Sequence, residues 1–116
     1  MAVNITIWHN PRCSKSRQTL ALLQERGIEP EIRLYLKDPP DAEEIRAVQK
    51  MLGLPVIGFT RTGEKIFREL GLSKDSPEDE IVRAMAEHPV LIERPIVIAG
   101  VRAALGRPPE AVLEIL

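Results

Sequence analysis

Chemistry in this 116-residue chain centres on its one cysteine, Cys13, within the stretch Trp8-His9-Asn10-Pro11-Arg12-Cys13-Ser14-Lys15-Ser16-Arg17. A free thiol has a pKa of about 8.5, and a helix N-terminus with cationic neighbours lowers it by several units. Arg12, Lys15 and Arg17 are such neighbours, and His9 is another when protonated. The same charges and unpaired backbone N–H groups bind an oxyanion. An inert, buried cysteine needs none of this, so the setting points to a reactive thiolate. Two familiar thiol patterns fail. A redox Cys-x-x-Cys is absent because its second position is Ser16, and a phosphatase-type Cys-x5-Arg is absent because the arginine position is Thr19. One cysteine and two histidines are too few for a zinc site of about four such ligands, so no metal is expected.

The elements on either side would place that thiol. Val3, Ile5 and Ile7 alternate with Asn4 and Thr6, the period of a strand. Leu20 and Leu23 then recur at helical spacing and Gly27 supplies a left-handed stop, which predicts a helix from about Ser14 to Arg26. Cys13 is therefore expected at a strand-to-helix turn, where the helix has free N–H groups.

Ile32, Leu34 and Leu36 predict a second strand over about Glu31 to Leu36, parallel to the first by a right-handed crossover. Asp41 and Glu44 form a capping-box pattern ahead of Ile45, Val48 and Leu52. From there to about Glu93 the apolar residues keep helical spacing, with Ser76 expected as an N-cap and Pro77 in the first helical position. Ile96, Val97 and Ile98 predict a buried strand. Ala99-Gly100 turns it back along Val101 to Leu105, and Pro108-Pro109-Glu110 opens a last helix with Val112, Ile115 and Leu116 inward. Trp8 and Met85 are expected in the core. The result is an α/β chain of order β-α-β, helical insert, β-β-α with a mixed four-stranded sheet, read as one domain over 1–116 with the insert at about 41–93.

His9-x3-Cys13-x3-Arg17 with Asn10-Pro11 between resembles the glutaredoxin-coupled arsenate reductase (ArsC-type) family. Leu91-Ile92-Glu93-Arg94-Pro95-Ile96-Val97 and Arg107-Pro108-x-Glu110-x-Val112-Leu113-Glu114-Ile115 resemble that family's later motifs. The resemblance runs nearly the whole length and implies a thioredoxin-like fold and a cis peptide bond before Pro95. It implies Cys13 as nucleophile and His9 as the residue that favours the thiolate. Arg61, Arg94 and Arg107 would be the ligands of the anion, with Arg17 beside them. Arsenate is the implied substrate and glutathione the implied co-substrate, with no bound cofactor; glutaredoxin would clear a mixed disulfide from Cys13.

Formal net charge is −1 and the sequence pI about 6.1, which gives no global field for nucleic acid or an anionic membrane. No apolar run approaches the roughly 20 residues that span a bilayer. The N-terminus lacks the pattern of a secretory signal, so a cytoplasmic location is expected. Two other readings stay open on the residues: a monothiol oxidoreductase acting on glutathione mixed disulfides, and an Spx-like regulator that binds RNA polymerase. Neither needs three arginines around a thiol.

Overall fold

A computed structural model describes residues 4–116. Val3, expected at the start of the first strand, lies outside the described residues. The backbone divides into two compact units, one of residues 4–38 with Arg94–Leu116 and the other Pro39–Glu93.

The first unit is a four-stranded sheet in the order β2-β1-β3-β4. Strand β1 (Ile5–Trp8) runs parallel to β2 (Glu31–Arg33) and antiparallel to β3 (Ile96–Ala99), which pairs in turn with antiparallel β4 (Arg102–Leu105). Helix α1 (Ser14–Glu25) makes the crossover from β1 to β2, and Gly27 ends it in the left-handed conformation at φ 74°. Ile7, Leu23, Val97 and Val112 are fully buried together, with Ile5, Leu20, Ile28, Ala104 and Ile115 packed on them. Burying one such side chain contributes about 1.5–3 kcal/mol, so this cluster ties α1 to the sheet that aims it.

Two elements here differ from the sequence expectation. Strand β2 stops at Arg33 rather than Leu36. It is an edge strand whose only partner among the described residues is β1, and β1 ends at Trp8, opposite Arg33. Past that point the chain turns, with the N–H groups of Lys37 and Asp38 both donating to the Leu34 carbonyl. The final element, Pro109–Ile115, is a 3-10 helix. Its three-residue period puts positions 109, 112 and 115 on one face. Val112 is accordingly buried and Ile115 packs inward, while Leu116 is 46% exposed instead of facing the core.

In the second unit, α2 (Ala42–Leu52) carries the expected capping box: Asp41 Oδ1 accepts from Glu44 N–H at 2.8 Å and Glu44 Oε1 from Asp41 N–H at 3.2 Å. A 3-10 turn at Val56–Phe59, the short helix α3 (Lys65–Glu69), α4 (Glu78–Glu87) and a 3-10 turn at Pro89–Leu91 follow. Helix α4 starts one residue later than expected, with Pro77 as its N-cap. Ser76 does not cap it, because its hydroxyl turns back to accept from Ser73 N–H at 2.9 Å. Glu78, in the first turn of α4, accepts from Val56 N–H at 3.0 Å and pairs with Arg46 at 3.5 Å. Trp8 and Met85 are buried as expected. Among the described residues no helix is long and apolar enough to cross a membrane.

Candidate active site

Three chain segments meet at one end of the sheet of the first unit: the exit of β1, the entry of β3 and the exit of β4. The register makes this so, since Trp8 is opposite Ile96 and Ile96 is opposite Leu105. The loop after β1 carries Cys13, the residue before Pro95 is Arg94, and the residue after Gly106 is Arg107.

The loop is built as a tight turn. Asn10 closes it twice, its carbonyl accepting from Cys13 N–H and its side-chain oxygen from Arg12 N–H, both at 3.0 Å. Arg17 reaches back to donate to the Pro11 carbonyl at 2.9 Å. Cys13 is thereby the N-cap of α1, partly exposed, with its carbonyl accepting from Arg17 N–H at 3.0 Å. No full cap hydrogen bond is closed on the sulfur, a weak acceptor when it is a neutral thiol. The backbone N–H groups of Ser16 and Lys15 in the first turn nevertheless favour its charged form.

Arg107 approaches the sulfur with Nη2 3.7 Å from Sγ and is itself oriented by Nε donating to the Arg94 carbonyl at 2.9 Å. Gly106, between β4 and Arg107, donates to the Pro95 carbonyl at 2.9 Å. A Cβ there would meet Thr19 Oγ1 at 2.5 Å and Pro95 Cγ at 2.6 Å, so the approach admits only glycine. The peptide bond before Pro95 is cis, as the resemblance implied, and so is the one before Pro108.

Partial burial pushes the Cys13 thiol up, but the Ser16 N–H, the Arg94 guanidinium and the Lys15 N–H together outweigh it, and the pKa is lowered from the ordinary value. His9 moves the other way for a cation: burial first, then the charge of Arg17, lower its pKa. It is 6% exposed and its Nδ1 lies 2.7 Å from Ser16 Oγ. Burial and Arg17 thus oppose the charged form of His9 that the sequence reading counts as a neighbour of the thiolate when present. Arg12 and Lys15 are exposed on the flanks of Cys13.

Cys13, Arg94 and Arg107 are thus brought together in the first unit, with Arg17 bracing the loop. Arg61 belongs to the second unit. There its Nε pairs with Glu64 at 3.1 Å and its Nη1 with Glu93 at 3.0 Å, which together raise its pKa against the effect of burial. Sequence reasoning passed over Ser16, noted only as a missing cysteine, and Gly106. The first could have been suspected from a small polar residue one helical turn after the thiol. Only the sheet register reveals the second.

A cysteine capping the first helix after the first strand of a mixed four-stranded sheet, faced by arginines just before the third strand and just after the fourth, defines a thioredoxin-like thiol protein of the single-cysteine kind. The chain belongs to the ArsC family, whose model matches residues 8–115. A protein of Haemophilus influenzae named arsenate reductase is 47% identical over 116 residues, 98% of this chain and 100% of its own length. An Escherichia coli arsenate reductase is 42% identical over 97% of this chain and 81% of its own. The solved structure of an arsenate reductase from Vibrio cholerae superposes with a TM-score of 0.96 at 48% identity, covering both chains completely.

Proposed function

We propose that this chain is an arsenate reductase in which the Cys13 thiolate is the nucleophile, glutathione the second thiol and glutaredoxin the protein that regenerates Cys13. The observation that carries the proposal is the pair of arginines beside the one thiol, Arg107 at 3.7 Å and Arg94 lowering its pKa. Two guanidinium forks offer directed, charge-assisted donors to a tetrahedral oxyanion. The relatives' names supply the substrate.

In the first step the thiolate attacks arsenic and an oxygen leaves as hydroxide or water, arsenic staying pentavalent. Glutathione then attacks the Cys13 sulfur. An S–S bond forms, the S–As bond breaks with its electron pair going to arsenic, and arsenite departs. The two electrons come from the two sulfurs. Burial and Arg17 disfavour a charge on His9, so the scheme places none there. A cytoplasmic setting suits the scheme, since glutathione keeps a lone thiol reduced there.

The test is arsenate-dependent turnover with glutathione and glutaredoxin. It should vanish in Cys13→Ser. Arg94→Ala and Arg107→Ala should each lose a charge-assisted hydrogen bond of about 1.5–3 kcal/mol, roughly ten- to a hundredfold in rate or affinity. Arg107→Lys should recover part of it, lacking the fork. Absence of arsenate turnover alongside reduction of glutathione mixed disulfides would instead make the chain a monothiol oxidoreductase.

A further inference from the structure

The buried group to which the proposed chemistry assigns no task is the Ser16 hydroxyl. Ser16 is fully buried one helical turn after Cys13, and its oxygen has two partners among the described residues. Asn10 N–H donates to it at 3.0 Å, and His9 Nδ1 lies 2.7 Å away. A hydroxyl has one proton to give and two lone pairs to offer. Asn10 can only donate, so the hydroxyl proton has one acceptor within reach, His9 Nδ1. Were Nδ1 protonated instead, both lone pairs of the oxygen would be filled and its own proton would have no acceptor. The hydrogen-bond count therefore favours the neutral imidazole with its proton on Nε2.

We propose that Ser16 is a positioning residue for the Cys13 thiolate. Its hydroxyl, anchored on His9 Nδ1 and holding Asn10 N–H, clamps the exit of β1 onto the first turn of α1. Asn10 in turn carries Cys13 and Arg12 on its own two oxygens, at 3.0 Å each. The clamp keeps the sulfur where the Ser16 and Lys15 N–H groups meet it. His9 then supports the thiolate as a neutral acceptor at the far end of this chain of bonds, and its own charge contributes nothing. The charged group nearest to His9 in effect is Arg17, which opposes a second positive charge there. The inference rests on Cys13 as the reacting group and is independent of which oxyanion it meets.

Two measurements test it without arsenate. Imidazole nitrogen NMR on the unaltered protein should show His9 neutral at pH 7 with the proton on Nε2; a proton on Nδ1, or on both nitrogens, overturns the proposal. Iodoacetamide alkylation reports Cys13 alone, since the chain has one cysteine. In Ser16→Ala its pH midpoint should rise by about one unit, a tenfold loss of thiolate at a given lower pH. Ser16→Thr, which keeps the hydroxyl, should restore most of it, and His9→Asn, whose amide oxygen can stand in for Nδ1, should keep a lower midpoint than His9→Ala. An unchanged midpoint in Ser16→Ala, or His9→Asn equal to His9→Ala, rejects the clamp. If Ser16→Ala does not fold, the NMR measurement still decides. A protein that shows this pattern yet leaves arsenate unreduced fails the reductase reading and keeps this one.

Discussion

Cys13 and His9 both make folding stronger as pH rises, through opposite chemistries. The folded state lowers the thiol pKa, so between the folded value and the ordinary one near 8.5 the unfolded chain holds the extra proton, and stability grows with pH across that window. Below the folded value this contribution is lost. His9 is also lowered, here because burial and Arg17 penalise the cation. Below about 6.5 the unfolded imidazole takes a proton that the folded one refuses, so stability falls with acid there. Urea midpoints followed from pH 5 to 9 should therefore rise in two windows, and Cys13→Ser should flatten the upper one and leave the lower. A profile identical to wild type would reject the lowered thiol. Arg12, Lys15 and Arg17 were legible as sequence neighbours of Cys13, but Arg94 and Arg107, which the fold brings to the thiol, were named only through the family resemblance because tertiary packing places them. The penalty on a charged His9 was not legible, because it depends on burial and on where Arg17 lies, which no spacing rule assigns.

The strands and helices that reach the site were legible where a local signal sets them. Alternation gave β1 and the β3–β4 hairpin, and the Asp41/Glu44 pair gave the start of α2, since in each case the cause lies within a few residues. The end of β2 and the 3-10 character of Pro109–Ile115 were not legible. The first depends on where β1 stops and the second on the face that packs inward, and both are tertiary facts. Gly106 is of this second kind: it carries Arg107 past Pro95 and Thr19 through a space with no room for a Cβ. Gly106→Ala should cost about 1–3 kcal/mol by overpacking and should swing Arg107 away from the sulfur. A lowered melting temperature together with weaker anion binding is expected. A variant as stable as wild type would show that Thr19 and Pro95 yield more easily than their contacts suggest.

For the molecule as a whole, the family motifs span both units, and the arginine triad implied by the resemblance divides between them, Arg94 and Arg107 in the first and Arg61 in the second. What the chain cannot supply is a second thiol. Reducing As(V) to As(III) takes two electrons, and a protein that draws both from its own thiols ends with an internal disulfide. This chain has one cysteine, and Ser16 occupies the place where a redox pair would carry the other. Its buried hydroxyl is committed to Asn10 and His9. In the proposed scheme the second thiol comes from outside, its thiolate attacking the sulfur of the partly exposed Cys13. Enzyme quenched in turnover should therefore carry one glutathione per chain at Cys13, about 305 Da by the mass of the tripeptide less two hydrogens, and glutaredoxin should remove it faster than thioredoxin. A Cys13–Cys13 dimer in the quenched sample, or full turnover with thioredoxin and no glutathione, would refute the scheme, because either outcome supplies the second sulfur by a route that needs no small thiol.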